Sequence, residues 1–205
     1  MSEFTILSII QSNFGRSLCM LAEEKGLAYE MQNEKPHSDA VNAINPFGKI
    51  PAIRHGDVEL FETSAMARYI DTVFNGPKFF PADPVEAAKV EQWVSLHNMF
   101  DQTMIRQYAL GYFMPKTDDG KPDRVRIDGS LGALEKQLSM IEGALDGDYL
   151  VGDALTYADL SVYPTLHYMT QFPESKQMLS GLPKLSAYIS RMAARDSAKK
   201  TAMPG

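Results

Sequence analysis

Hydrophobic and polar positions follow two regimes along the chain. From Met1 to about Asn75, short apolar runs of strand length alternate with stretches of helical spacing; beyond Asp83 almost every apolar residue recurs at helical intervals. Phe4 to Ile10 is rich in β-branched and bulky apolar residues and predicts a buried strand. The turn Gln11-Ser12-Asn13-Phe14-Gly15 follows. Phe14, Leu18, Leu21 and Ala22 then mark a helix, with Gly26 where a left-handed C-cap belongs. Leu27 to Met31 predicts a second strand, completing a βαβ unit. Ile50 to Ile53 and Val58 to Phe61 flank the turn Arg54-His55-Gly56-Asp57. Ala65, Met66, Tyr69, Ile70 and Val73 form one face of a helix over 63–74. The expected order is β-α-β followed by β-β-α.

Pro77, Pro81 and Pro84 interrupt the chain where the pattern changes; they remove backbone donors and fix φ, which predicts a connector. The division expected is 1–77, a linker over 78–85, and a helical domain over 86–205. In the second part, Val90, Trp93, Val94, Leu96, Met99 and Phe100 line one long helix from Pro84 to about Phe113. Further helices are expected from Arg124 to Leu145, from Thr156, and from Pro183 to about Arg195. Thr156 with Asp159 three residues on is a capping-box pattern, with Asp in place of the usual Glu.

Composition narrows the function classes. The chain has 205 residues, 44% of them hydrophobic, which suits a folded core rather than disorder. Its 26 acidic against 20 basic residues give a net charge of −6, unsuited to a nucleic-acid backbone or an anionic membrane surface. No apolar run nears the ~20 residues that span a bilayer, and no secretory signal is evident at the start. The single Cys19 has no partner for an internal disulfide, and a cytoplasmic location is expected. Gly-rich phosphate loops and Cys/His zinc spacings are absent, so no metal is expected. Asp118 and Asp119 read as solvated loop carboxylates.

One segment stands out, Asn45-Pro46-Phe47-Gly48-Lys49-Ile50-Pro51-Ala52-Ile53. Pro51 just inside a strand has two readings. A trans edge-strand proline is favoured by spacing alone; a cis bond would turn the Ile50 N–H and C=O outward to pair with an extended peptide. Ser12, between strand and helix, reads as a turn serine or as a hydroxyl aimed at an anion at the helix N-terminus.

Taken with the β-α-β/β-β-α order, this segment resembles the N-P-x-G-x-[VI]-P segment of the glutathione transferase family. Phe61-Glu62-Thr63-Ser64-Ala65-Met66-Ala67-Arg68-Tyr69-Ile70 is similar to its E-S-x-A-I-x-x-Y-[LI] segment. Ser12 to Arg16 and Glu24-Lys25-Gly26 resemble the S-x-x-x-R…E-K-G pattern of serine-type members (phi, theta and zeta-like, bacterial), and Ala158 to Tyr168 leans towards phi. The likeness covers nearly the whole chain. It implies a thioredoxin-like N-terminal domain, an all-helical C-terminal domain, a cis Pro51, glutathione as co-substrate and a homodimer.

The resemblance also implies roles. Ser12 would stabilise the glutathione thiolate. Glu62 and Thr63 would hold the γ-glutamyl end, Thr63 departing from the family's Ser but keeping the hydroxyl. Ile50 beside Pro51 would pair with the cysteinyl residue, and Lys49 would sit near the glycyl carboxylate; His37 matches a phi-type histidine there only loosely. A pocket for a hydrophobic electrophile is expected at Phe14, Tyr108, Tyr112, Phe113 and Tyr168; Tyr108 and Tyr112, four apart on one helical face, read equally as core or interface residues. Arg106 is an anion partner or a solvated arginine, and Asp101 is placed to reach a partner subunit's ligand. The function implied is thiolate attack on a hydrophobic electrophile. A glutathione-dependent isomerase and a non-catalytic binding protein are the alternatives.

Overall fold

The computed structural model describes residues 4–117 and 119–203; Asp118 lies outside the described residues. Seven elements build the first part: β1 (Phe4–Ser8), α1 (Asn13–Lys25), β2 (Glu30–Asn33), α2 (Asp39–Ile44), β3 (Ala52–His55), β4 (Val58–Phe61) and α3 (Thr63–Val73). The sheet order is β2-β1-β3-β4. β1 runs parallel to β2 and antiparallel to β3, with Ile6 opposite Ile53, and β3 and β4 form a hairpin. The parallel pair requires a crossover, and α1 supplies it.

Alternation along β1 sends its side chains to two faces. Ile6 joins Leu18, Leu21, Ile53, Met66 and Ile70 in the main core; Leu7 packs on the other face with Val41, Ile44 and Ala52. The second cluster explains α2, which the sequence reading lacked: Ser38 caps it, and Val41 and Ile44 are its buried positions. Gly26 closes α1 at φ 67°, a left-handed conformation suited to glycine, as the pattern predicted.

Residues 74–83 contain no helix or strand, yet they are docked. The buried Lys25 ammonium donates to Asp71 Oδ1 (3.2 Å) and to the Pro77 carbonyl (2.9 Å), and Asp71 Oδ1 accepts the Phe79 N–H. Phe79 O accepts the Tyr157 N–H, and the Phe80 ring lies 5.3 Å from that of Tyr157.

The helical part comprises α4 (Pro84–Phe100), a π-helical stretch (Asp101–Ala109), α5 (Leu110–Phe113), α6 (Arg124–Ala144), α7 (Tyr157–Met169), α8 (Pro173–Ser180), α9 (Pro183–Ala194) and α10 (Asp196–Lys200). The single long helix expected over 84–113 is therefore continuous but changes register in its middle. α8 and α10 were not anticipated. α7 is buried nearly all round and forms the centre of the bundle against α1 and α4. Asp159 does more than cap it. Its carboxylate accepts the Thr156 N–H and hydroxyl, the Leu150 N–H and the Tyr188 hydroxyl, so one buried group ties together three segments. No helix among the described residues is long and apolar enough to cross a membrane.

Candidate active site

A crevice of about 320 Å³ opens where the first domain faces α4 and the π-helical stretch. The loop from Asn45 to Pro51 forms part of its floor. Asn45 is buried and holds that loop from inside: its Nδ2 donates to the Lys49 carbonyl (2.8 Å) and its Oδ1 accepts the Phe47 N–H (3.0 Å). Gly48 sits at φ 63°, and a Cβ there would lie 2.0 Å from His37 Nδ1, so only glycine fits. The Ile50–Pro51 peptide bond is cis. Lys49, Ile50 and Pro51 all line the crevice, as do Glu62, Thr63 and Ser64 at the start of α3.

Glu62 adopts φ 69°, one of two non-glycine residues in the left-handed region among those described. Such a residue costs ~1–3 kcal/mol and persists where its surroundings dictate it. Its side chain does not cap α3. Glu62 is exposed and lines the crevice, and the first N–H groups of α3, which follow it, have no intrahelical acceptor. An acceptor for an ammonium thus lies next to donors for a carboxylate.

Ser12 is the N-cap of α1. Its Oγ accepts the Gly15 N–H at 3.0 Å, and its hydroxyl proton has no acceptor among the described residues. The Asn13 and Phe14 N–H groups lack intrahelical acceptors. Phe14 lines the crevice; Ser12 itself, half-buried, lies outside the crevice wall. His37 is also outside it: its ring rests against Gly48, and its N–H bonds the Gly48 carbonyl. It supports the loop from behind.

The opposite wall is largely polar. His97, fully buried, bridges the Ser161 hydroxyl (Nδ1, 2.8 Å) and the Thr165 hydroxyl (Nε2, 2.8 Å), while the Phe14 ring lies 4.5 Å away. A neutral imidazole satisfies this arrangement, donating through one nitrogen and accepting through the other. Burial pushes its pKa down to about 3, so it stays neutral. Asn13 Nδ2 donates to Thr165 Oγ1 (2.8 Å) and Asp101 Oδ1 (3.1 Å). The second Asp101 oxygen accepts from Arg106 Nε at 2.8 Å. Asn98, Asp101, Gln102 and Arg106 complete this wall.

Four of the five residues expected in a co-substrate pocket lie elsewhere. Tyr108 is fully buried, and its hydroxyl donates to Glu174 Oε2 (3.0 Å) and accepts the Ser175 N–H (3.0 Å). Tyr112 donates to the same carboxylate and stacks on Phe172 with centroids 4.5 Å apart. Phe113 packs edge-on against Tyr168, whose hydroxyl donates to the Gln11 carbonyl. Tyr108 and Tyr112 do share a helical face, but that face turns to α8. Although partial burial raises the Glu174 carboxyl, the Tyr112 hydroxyl and the Arg124 guanidinium hold it down at about 2. Only Phe14 of the five faces the crevice.

Asn13, the alternative to Ser12 as thiolate partner, has its carboxamide on Asp101 and Thr165 instead, while Asn45, His97, Asn98 and Gln102 were not among the expected site residues. Asn13, His97, Asp101 and Thr165 converge from α1, α4, the π stretch and α7, so no local spacing marks them. Cys19 is buried in α1, and burial pushes its thiol up to about 12, which suits an inert side chain. Among the described residues no group of three His, Cys, Asp or Glu is placed to hold a metal ion.

This architecture has relatives. The model of the glutathione S-transferase N-terminal domain matches residues 11–73, and that of its C-terminal domain matches 102–196. The chain is 31% identical to the probable glutathione S-transferase GSTF1 of Oryza sativa subsp. japonica, covering 93% of this chain and 91% of that one. It is 30% identical to glutathione S-transferase 4 of Zea mays, covering 93% and 88%. Among solved structures, glutathione transferase F7 from Populus trichocarpa superposes with a TM-score of 0.85 at 25% identity over 97% of each chain. A glutathione S-transferase I solved with lactoylglutathione bound gives a TM-score of 0.85 at 26% identity, over 97% and 98%. The two curated relatives are plant proteins and lend nothing to the bacterial origin suggested by the motifs.

Proposed function

The chain belongs to the glutathione S-transferase family, and from that premise we propose how its crevice carries out transfer to the thiol of glutathione. The protein is a glutathione transferase with glutathione as co-substrate. The observation that carries the site reading is the shared crevice: Lys49, Ile50, Pro51, Glu62 and Thr63 from the first domain face Phe14 and the helical wall across one opening. Glutathione lies along the first group. Glu62 accepts from its ammonium, Thr63 and the first amides of α3 donate to the α-carboxylate, the Ile50 backbone pairs with the cysteinyl residue, and Lys49 meets the glycyl carboxylate. His37 acts by supporting the Gly48 turn.

The chemistry required is thiol ionisation. A thiol of pKa near 8.5 is only a few per cent thiolate at neutral pH. The positive end of α1 favours the anion, and a hydrogen bond to a charged acceptor adds ~1.5–3 kcal/mol. Ser12 suits that role: as the cap it accepts from Gly15, which leaves its own proton to donate. The Asn13 carboxamide is committed to Asp101 and Thr165, so the remaining donors are the Asn13 and Phe14 amides. The thiolate attacks the electrophilic carbon, forming a C–S bond while the leaving group departs with its electron pair.

The same reading makes this a serine-type, phi-like transferase, a cytoplasmic homodimer whose two domains meet over 78–85. Retention on immobilised glutathione, followed by conjugation of chlorodinitrobenzene, tests it. Binding without turnover would leave a ligand-binding protein; failure of both would overturn the site assignment.

A further inference from the structure

The half of the crevice left for the electrophile is not the aromatic pocket that a purely apolar substrate would need. Beyond Phe14 and Val94, this side is lined by the exposed Asn98, Gln102 and Arg106, with His97, Asp101 and Ser161 behind them. Burying an apolar molecule against such groups would strip their water without replacing it.

The π-helical register creates the feature that matters. In an α-helix, residues five apart stand ~140° apart around the axis and do not meet. Hydrogen bonding at i→i+5 widens the turn and brings them onto one side. Asp101 and Arg106 are five apart, and the Arg106 Nε to Asp101 Oδ2 contact is 2.8 Å. Asp101 is nine-tenths buried or more, and its other oxygen is taken by Asn13. Arg106 is thus held by an anchored carboxylate, while its side chain remains 55% exposed and its terminal nitrogens have no partner among the described residues. A guanidinium fixed at Nε presents the edge that binds a carboxylate through two parallel bonds.

We propose that Arg106 selects an electrophile carrying a carboxylate, so that the natural co-substrates of this protein are small organic acids with a reactive carbon rather than uncharged hydrophobic compounds. Asp101 and Asn13 position the arginine, and Gln102 and Asn98 face the remainder of the substrate. The proposal rests on the transferase reading. It adds the substrate's charge to it.

A matched pair of probes separates the two. One is a chlorodinitrobenzoate with its carboxylate para to the chlorine; the other is the corresponding uncharged benzamide. In both, the glutathione sulfur bonds to the ring carbon, the C–Cl bond breaks, and chloride leaves with the electron pair; the thiol proton has already passed to solvent. The expected result is a higher kcat/KM for the benzoate. In Arg106→Gln the benzoate-to-benzamide ratio should fall about ten- to a hundredfold, mainly through KM, matching one lost hydrogen-bonded charge contact. Arg106→Lys keeps the charge without the fork; its ratio should fall between the two, and it serves alone if Arg106→Gln does not fold. Raised ionic strength should lower the wild-type ratio. Turnover of the benzamide with a ratio near one, or a ratio unmoved by either substitution, would overturn the carboxylate assignment and leave the transferase intact. Turnover of neither probe, nor of chlorodinitrobenzene, would overturn both.

Discussion

The carboxamide of Asn13 donates to the carboxylate of Asp101 at 3.1 Å, across 88 residues of sequence. Through this bond the first residue of α1 is joined to the first residue of the π-helical stretch, and the two walls of the crevice share one polar network. Asn13→Ala would leave Asp101 and Thr165 each short of a buried donor. The expected loss is about 2 kcal/mol of stability, the scale of an unsatisfied buried group. Urea unfolding reads it directly, and a loss below about 0.5 kcal/mol would show that the network does not couple the walls. The titration of bound glutathione should stay in place, because this side chain is committed away from the sulfur.

Ser12→Ala should move that titration. Followed through the ultraviolet absorbance of the thiolate, the thiol pKa is expected to rise by about one to two units. Loss of the cap on Gly15 should cost about 1 kcal/mol as well. Ser12→Thr preserves both functions and should restore both values. An unmoved titration in the alanine variant would transfer the role to the Asn13 and Phe14 amides.

His97 makes the pH dependence specific. Its pKa in the fold, about 3, lies below the ordinary 6.5, so on acidification the unfolded chain takes up a proton that the folded chain refuses. Its contribution is present in full above about pH 6.5 and is lost as the pH falls towards 3, at about 1.4 kcal/mol per unit. Between pH 7 and 5 the wild type should lose about 2 kcal/mol more than His97→Gln. An equal loss of unfolding free energy between the two pH values in wild type and variant, read by urea unfolding, would contradict a neutral buried imidazole.

Lys25 and Asp71 form an ion pair whose side chains are almost wholly enclosed. Removing one member of such a pair typically costs about 3–5 kcal/mol. Lys25→Met should fall at the lower end, about 3 kcal/mol, since Asp71 retains the Phe79 N–H as a donor. The midpoint of thermal or urea unfolding checks this; a change under about 1 kcal/mol would mean that solvent replaces the ammonium.

Periodicity made legible those elements whose apolar positions recur often enough. β1, β4, α3, α4, α6, α7 and α9 fall close to where the pattern places them, and Gly26 ends α1 as expected. α2, α8 and α10 have at most eight residues each, too few turns for a 3.6-residue period to emerge. The π register was illegible for a different reason: the residues of 101–109 suit either helix, and only the Asp101–Arg106 spacing, wrong for an α-helical pair, carried a trace of it. In the site, the contiguous segments Asn45–Ile53 and Phe61–Ile70 were readable because each places its groups within one turn or loop. For Tyr108 and Tyr112 the spacing showed a shared face but could not choose between pocket and core, because it does not say which neighbour that face meets. His97 and Thr165 gave no signal, being joined to Asn13 and Asp101 only by packing.

The clasp between the ends of the described chain has a consequence for synthesis. Arg195 and Ser197 hold Glu24, Arg16 donates to the Ala198 carbonyl, and Lys200 pairs with Glu23, so α10 closes over α1. As the polypeptide emerges, the first sheet and its helix are complete on the order of ten seconds before residues 195–201 leave the ribosome. Throughout that interval the outer side of α1 stands uncovered, with Arg16 and Glu24 unpaired. The final tightening of the first domain therefore waits on residues 195–201.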